Sequence, residues 1–213
     1  MAKIEKLKSS EPWAYNELFP ILKDAFRVLY IAFQKLYNKR KSNLYKKPIK
    51  GNRYLENLFT SDLVKGTSDI VKLFEYRIQK QQQDFETNNI IDIAILYNLS
   101  FGDNSNDLKI ECKRLDNINY IISDGIFSFK NNKYSENLSL GGLLLFNTKN
   151  EISHNINLLN AQIERKISPY ETLDNVSIIT GYQYTYKSVH KRVKNDNLIL
   201  YSCVLDFSEL IEW

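Results

Sequence analysis

Residues 90–97 read IIDIAILY and residues 108–115 read LKIECKRL. The first run is apolar, rich in β-branched residues and short enough for a buried strand, and the second is predicted as another strand. The segment between them, FGDNSND at residues 101–107, is dense in turn-forming residues, so we expect the two strands to form a hairpin. Each strand carries an acidic residue, Asp92 in the first and Glu111 in the second, and these two residues are the first candidates for a functional site.

An ionised carboxylate inside such a strand is unfavourable unless it is paired or bound to a metal ion. Because side chains alternate along a strand, Glu111 and Lys113 share one face and Cys112 lies on the other. A hairpin brings Asp92 and Glu111 to the same end of the sheet. The two carboxylates and the backbone carbonyl of Cys112 make a hard oxygen site suited to Mg²⁺ or Mn²⁺. The Lys113 ammonium can orient a water molecule or stabilise negative charge developing on phosphorus.

Spacing alone does not single out this pair. The same acid-x-lysine pattern occurs at Asp107 with Lys109, in the predicted turn, and at Glu164 with Lys166, in a helical pattern. The pair at Glu111 differs because it lies in a short apolar strand that follows another strand with its own buried acid. The alternative interpretation is a buried salt bridge with a purely structural purpose.

The remaining pattern predicts helices and strands that interleave. Apolar residues recur at helical spacing over residues 10–38, with Pro20 as a start or a kink, and over residues 53–83, with Gly66 as a potential break. Residues 39–52 are basic and contain Pro48 and Gly51, as a connector does. Further helices are predicted at residues 119–130 and 152–167, and further strands at residues 140–146, 176–180 and 198–207.

We therefore predict an α/β fold, with a mixed central sheet flanked by helices. Residues 1–50 form an N-terminal helical extension with the basic connector, and residues 51–213 form the core domain. A chain of 213 residues with 43% hydrophobic residues suffices for one sizeable core. The sequence shows no membrane-spanning apolar run, no signal peptide and too few cysteines for a disulfide framework, which predicts a cytoplasmic protein without a membrane partner.

The net charge of +4 is unevenly distributed. No acidic residue occurs between Asp24 and Glu56, whereas nine basic residues do. A second basic cluster contains Lys187, Lys191 and Arg192. Such blocks favour a polyanionic partner, because neutralised phosphates release condensed counterions. The alternative for each block is a solvated surface or a basic connector.

The order of these motifs resembles the PD-(D/E)xK nuclease superfamily, also called restriction-endonuclease-like. The resemblance begins with Asp92 and the Glu111-Cys112-Lys113 motif, and it spans about residues 53 to 207. It is similar to a bacterial branch associated with restriction or phage defence. The segments that carry the rest of it are YIISDGIFSFK at 120–130, LSLGGLLLF at 138–146, SVHKR at 188–192 and LILYSCVLDF at 198–207.

This resemblance implies a restriction-endonuclease-like core and Mg²⁺-dependent hydrolysis of nucleic-acid phosphodiester bonds, with DNA favoured. It implies an effector in bacterial anti-phage defence or restriction, and many members of the superfamily act as homodimers. By the same resemblance, Asp92, Glu111 and the Cys112 carbonyl ligate the metal, and Lys113 positions the nucleophile. The superfamily's helical acid maps best onto Glu56, with Asp62 and Glu75 as rivals. The residues expected at the nucleic acid are Arg114, Lys187, His190, Lys191 and Arg192.

Two positions depart from the superfamily pattern. Ile91, not proline, precedes Asp92, and Ser128 stands where relatives often carry arginine, which removes one expected phosphate contact. Two other classes of protein fit the same sequence. One is a nucleic-acid-binding module that has the fold but no catalytic activity. The other is an interaction subunit of a multi-protein defence complex, whose N-terminal helices dock a partner protein.

Overall fold

Two long helices form the first part of the computed structural model, which describes residues 12–46, 52–71, 76–80, 93–97, 108–131, 133, 138–167, 172–192 and 197–212. Helix α1 spans Pro12–Arg40 and is continuous through Pro20. Its buried face recurs at helical spacing through Leu22, Phe26 and Leu29, and this burial outweighs the backbone hydrogen bond that proline cannot donate. Arg40 therefore belongs to the helix and not to the predicted connector.

Helix α2 spans Asn52–Val71 and includes Gly66, which does not interrupt it. A Cβ atom at Gly66 would lie 3.3 Å from the Cβ atom of Ala32, so the absent side chain lets α2 approach α1 closely. Both helices pack on the same face of the sheet, where Phe26 and Phe59 join one apolar core with Phe146.

Within the described residues, one mixed sheet of seven strands forms the centre of the fold, which confirms the predicted α/β architecture. The order across the sheet is β2-β3-β4-β5-β8-β7-β6. Strands β4, β5 and β8 run parallel to one another, and the other neighbours are antiparallel. The bounds of these strands are β2 Tyr76–Lys80, β3 Ile93–Tyr97, β4 Leu108–Arg114, β5 Leu140–Asn147, β6 Asp174–Asn175, β7 Thr185–Lys191 and β8 Asn197–Asp206.

The opposite face of the sheet is covered by a second set of helices. These are α3 (Ile118–Tyr120), a π-helical segment (Ile121–Ile126), α4 (Phe127–Lys130) and α5 (Ile152–Lys166). They bury a separate apolar core against the sheet. Strand β1 (Tyr45–Lys46) forms a short parallel pair with β9 (Ile211–Glu212). Strand β9 directly follows a one-turn 3₁₀ helix at Ser208–Leu210. None of the helices in the described part of the chain is long and apolar enough to cross a membrane.

Two predictions of secondary structure were wrong, and one strand was not predicted. Residues 76–80, predicted as helix, form β2, because all five residues pair with β3 and this pairing overrides local propensity. Residues 176–180, predicted as strand, are irregular, and the Ile178 N–H donates to the side-chain hydroxyl of Thr185 in β7 and not to a backbone carbonyl. Strand β7 was not predicted, because the side chains on its buried face include Ser188 and His190.

Candidate metal and catalytic site

Strand β4 carries the central pair of the predicted site. The β3–β4 hairpin is present, with Ile93 opposite Ile110. Glu111 and Lys113 are both buried, at 2% and 5% exposure, on the face that also holds Leu143 and Leu145 of β5. Cys112 packs in the core on the other face, so the predicted alternation of side chains is confirmed.

Three oxygen atoms converge on the ammonium nitrogen of Lys113. Lys113 Nζ lies 2.5 Å from Glu111 Oε1 and 3.6 Å from Glu56 Oε1. It also donates a hydrogen bond of 3.0 Å to the backbone carbonyl of Cys112. Two carboxylates from different elements, 55 positions apart in the sequence, are thus brought to one cation. The Glu111–Lys113 contact follows from strand geometry, whereas the contact with Glu56 is made by tertiary structure.

Glu56 reaches this point because it lies on the face of α2 that meets the edge of β4. The Leu115 N–H donates to the Phe146 carbonyl, towards β5. Since successive N–H groups of a strand point to opposite sides, the Arg114 N–H points away from β5. There it donates to Glu56 Oε2 at 3.1 Å. The Glu56 carboxylate therefore binds the edge of β4 and the Lys113 amine at the same time, and only 8% of the residue is exposed.

Asp62, the rival of Glu56 that the structure describes, is placed differently. Asp62, on the same helix, accepts hydrogen bonds of 2.7 Å from Arg40 Nη2 and from the Tyr45 hydroxyl. Burial, and then the hydrogen bond to Asp62, raise the pKa of Tyr45 well above its usual range, which keeps this donor protonated. Glu75 and Asp92 lie outside the described residues, so the role of Asp92 stays a prediction from the sequence.

The donor atoms around Lys113 have the chemistry that a hard divalent cation requires. Mg²⁺ is bound in proteins by one or two carboxylates together with other oxygen atoms, and Glu111, Glu56 and the Cys112 carbonyl are of this type. Within the described ranges, no group of three or more His, Cys, Asp or Glu side chains is arranged to hold a metal. Asp92, which the sequence predicts as a metal ligand with Glu111 and the Cys112 carbonyl, lies outside these ranges, so the metal site stays a prediction.

Arg114, predicted to contact nucleic acid, instead pairs with Asp116. Arg114 Nε donates to Asp116 Oδ1 at 2.9 Å, and its Nη2 atom also contacts the same carboxylate. Burial by itself raises the pKa of Asp116, but the hydrogen bond and charge of Arg114, with Lys149 and Thr148, hold this pKa below its ordinary value. Asp116 is not among the residues predicted from the sequence, although an arginine and an acid two residues apart at a strand end are a usable signal.

Substitution Asp116→Asn is expected to lower the free energy of unfolding at neutral pH by about 2 kcal/mol, because it removes a charge-assisted hydrogen bond. A lowered pKa in the folded state stabilises the protein above the ordinary carboxyl pKa of about 3.9, and this contribution is lost as pH falls through the lowered value. The difference between wild type and variant should therefore shrink below about pH 4. Urea unfolding at a series of pH values measures it, and a difference that does not change with pH would contradict the ionic role.

The other residues expected at nucleic acid are only partly accessible. Lys191 is exposed and Lys187 is half-buried. His190 is fully buried, with its Nε2 atom 2.8 Å from the hydroxyl oxygen of Ser188. Arg192 is also buried and donates to the Leu138 carbonyl at 2.5 Å. These contacts argue against direct phosphate binding by His190 in β7 and by Arg192 just after it, because both side chains are directed towards the interior.

The fold and this cluster define an α/β protein with a buried acid–lysine–acid site at the edge of a central parallel strand. No protein-family model matches the sequence, and no curated protein and no solved structure is significantly similar to it.

Proposed function

We propose that this protein is a nuclease that hydrolyses nucleic-acid phosphodiester bonds with Mg²⁺ or Mn²⁺, with DNA as the favoured substrate and a restriction-endonuclease-like core. One observation carries the proposal: the Glu111 carboxylate, the Glu56 carboxylate and the Cys112 carbonyl meet at one buried lysine amine. The role in bacterial anti-phage defence or restriction is proposed from the sequence resemblance.

The electrostatics of the cluster favour a further cation. Glu56, Glu111 and Lys113 together carry a formal charge of −1 in a buried environment, where Coulomb interactions are stronger than in water. Asp92, Glu111 and the Cys112 carbonyl would hold the ion. When bound, a divalent ion polarises a phosphoryl oxygen and makes a bound water more acidic.

Lys113 has the second role in this proposal. Its amine is held by Glu111 and Glu56, so its direction is set before a substrate arrives. A pre-oriented ammonium can position the attacking water and stabilise charge that develops on the phosphoryl oxygens, without reorganisation during the reaction. Glu56 orients Lys113 and provides a further acidic group beside the attacking water.

A buried structural salt bridge would make the same contacts, so the proposal needs a test of activity. Purified full-length protein is incubated with Mg²⁺ or Mn²⁺ and with DNA and RNA in single-stranded and duplex forms. Wild type is expected to cleave at least one substrate, and EDTA should stop cleavage. The Asp92→Ala variant should lose cleavage while it retains binding to a labelled oligonucleotide in EDTA. Intact substrates throughout, with no metal binding by calorimetry, would refute the nuclease assignment.

A further inference from the structure

A groove of about 470 Å³ lies between helices α1 and α2, away from the Glu111 cluster. The close contact of Ala32 with Gly66 brings the two helix backbones together along it. Longer side chains stand around this contact, and three of them are exposed lysines: Lys35 and Lys39 from α1 and Lys65 from α2. The groove is thus narrow between the helices and basic at its sides.

The acidic residue of this groove is already neutralised. Asp62 forms an ion pair of 2.7 Å with Arg40, whose guanidinium also lies 4.3 Å from the centre of the Tyr45 ring. Among the residues described by the structure, Lys35, Lys39 and Lys65 form no ion pair. Three amines from two helices therefore remain available to an anionic ligand.

We propose that this groove binds the phosphate backbone of nucleic acid. The inference deepens the proposed function, since the bound nucleic acid is the nuclease substrate. It also places binding in the first basic block, to which Lys35 and Lys39 belong, and not at the residues 187–192 that the resemblance implied. His190 and Arg192 are buried, whereas the α1–α2 groove leaves its lysines accessible. Lysine side chains that rotate independently can contact phosphates from both sides of a nucleic-acid strand. Such contacts bind nucleic acid without regard to its base sequence.

A nucleic acid suits the groove better than an anionic membrane surface. Membrane-surface binding combines basic residues with apolar side chains that insert between lipids. Within the described ranges, the large exposed hydrophobic residues are Tyr54, Tyr120, Leu158 and Val189. None of them lines this groove.

Lys65 lies nine residues beyond Glu56 on α2, about 13 Å along the helix axis, so the groove and the Glu111 cluster can be tested separately.

Three double variants with equal change in charge test the proposal. The groove variant is Lys35→Gln with Lys65→Gln, which removes one lysine from each helix. The β7 variant is Lys187→Gln with Lys191→Gln. The control variant is Lys23→Gln with Lys166→Gln, on surfaces outside both regions. Binding of a fluorescein-labelled oligonucleotide to the full-length protein is measured by anisotropy in EDTA at several salt concentrations, so the result does not depend on cleavage.

The groove variant should bind about tenfold more weakly, and the slope of log Kd against log salt concentration should fall by about two units, one for each lysine. The β7 and control variants should stay within about twofold of wild type, with an unchanged slope. Equal losses in all three variants, no loss in the groove variant, or binding to anionic phospholipid vesicles instead of the oligonucleotide would overturn the proposal.

A second measurement uses the wild-type protein and so does not depend on a variant that folds. Bound oligonucleotide should protect Lys35 and Lys65 from acetylation more than Lys23 and Lys166, as read by mass spectrometry. Equal labelling at all four lysines would contradict the groove. If the groove is protected but no substrate is ever cleaved, the nuclease assignment fails and the binding site stands. If a substrate is cleaved but the groove is not protected, the binding site fails and the nuclease assignment stands.

Discussion

Glu111→Gln is expected to lower the rate of metal-dependent cleavage by about 1,000-fold or more. The glutamine side chain has nearly the same size and can still accept a hydrogen bond from Lys113, so the packing of β4 should be kept. The substitution removes a negative charge that, in the proposed mechanism, holds the metal and orients the Lys113 amine. Single-turnover cleavage at saturating protein concentration measures the effect on the chemical step.

The chain itself offers a matched control for this experiment. Glu164 also precedes a lysine by two positions, but it lies on the exposed side of α5. Glu164→Gln should leave both cleavage and stability unchanged. If Glu111→Gln unfolds at lower urea concentration but its folded fraction cleaves at the wild-type rate, the Glu111–Lys113 pair is a structural salt bridge. That result would remove the main support for the nuclease proposal.

Glu56→Ala is expected to lower the free energy of unfolding by about 3 kcal/mol, because the buried Lys113 amine and the Arg114 N–H both lose this carboxylate. It should also slow cleavage, since Lys113 then loses one of the carboxylates that orient it. Urea unfolding measures the stability, and cleavage is measured at a temperature where the variant is folded. A stable variant would mean that the contacts of Glu56 contribute little to folding.

Asp62→Ala on the same helix separates the candidates for the helical acid. Asp62 is half-buried, and its ion pair with Arg40 lies away from β4, so a smaller loss of about 1 kcal/mol is expected. Cleavage should stay near the wild-type rate, because no contact of Asp62 reaches Lys113. If Asp62→Ala abolished cleavage and Glu56→Ala did not, the assignment of Glu56 would be wrong.

The interior strands and several helices follow from local sequence. Strands β3, β5 and β8 are largely apolar on both faces, β4 alternates Leu108, Ile110 and Cys112 with charged residues, and α5 has a clear helical repeat, so each is recognisable without its neighbours. Strand β2 is different, since its apolar–polar alternation covers only four residues, Tyr76-Arg-Ile-Gln79, and its conformation is decided by pairing with β3. Strand β7 escaped prediction because buried hydroxyl and imidazole groups interrupt its apolar pattern.

In the candidate site, too, some features follow from local sequence and others depend on tertiary structure. The shared face of Glu111 and Lys113 is a consequence of strand periodicity, so two residues two positions apart suffice to predict it. The approach of Glu56 to Lys113, the burial of His190 and the meeting of Lys35 with Lys65 along one groove depend on how helices and strands pack. Alternation along a strand is a property of the local backbone, whereas these contacts join residues far apart in the chain. They arise only when α1 and α2 pack on one face of the sheet and the second set of helices covers the face that carries His190.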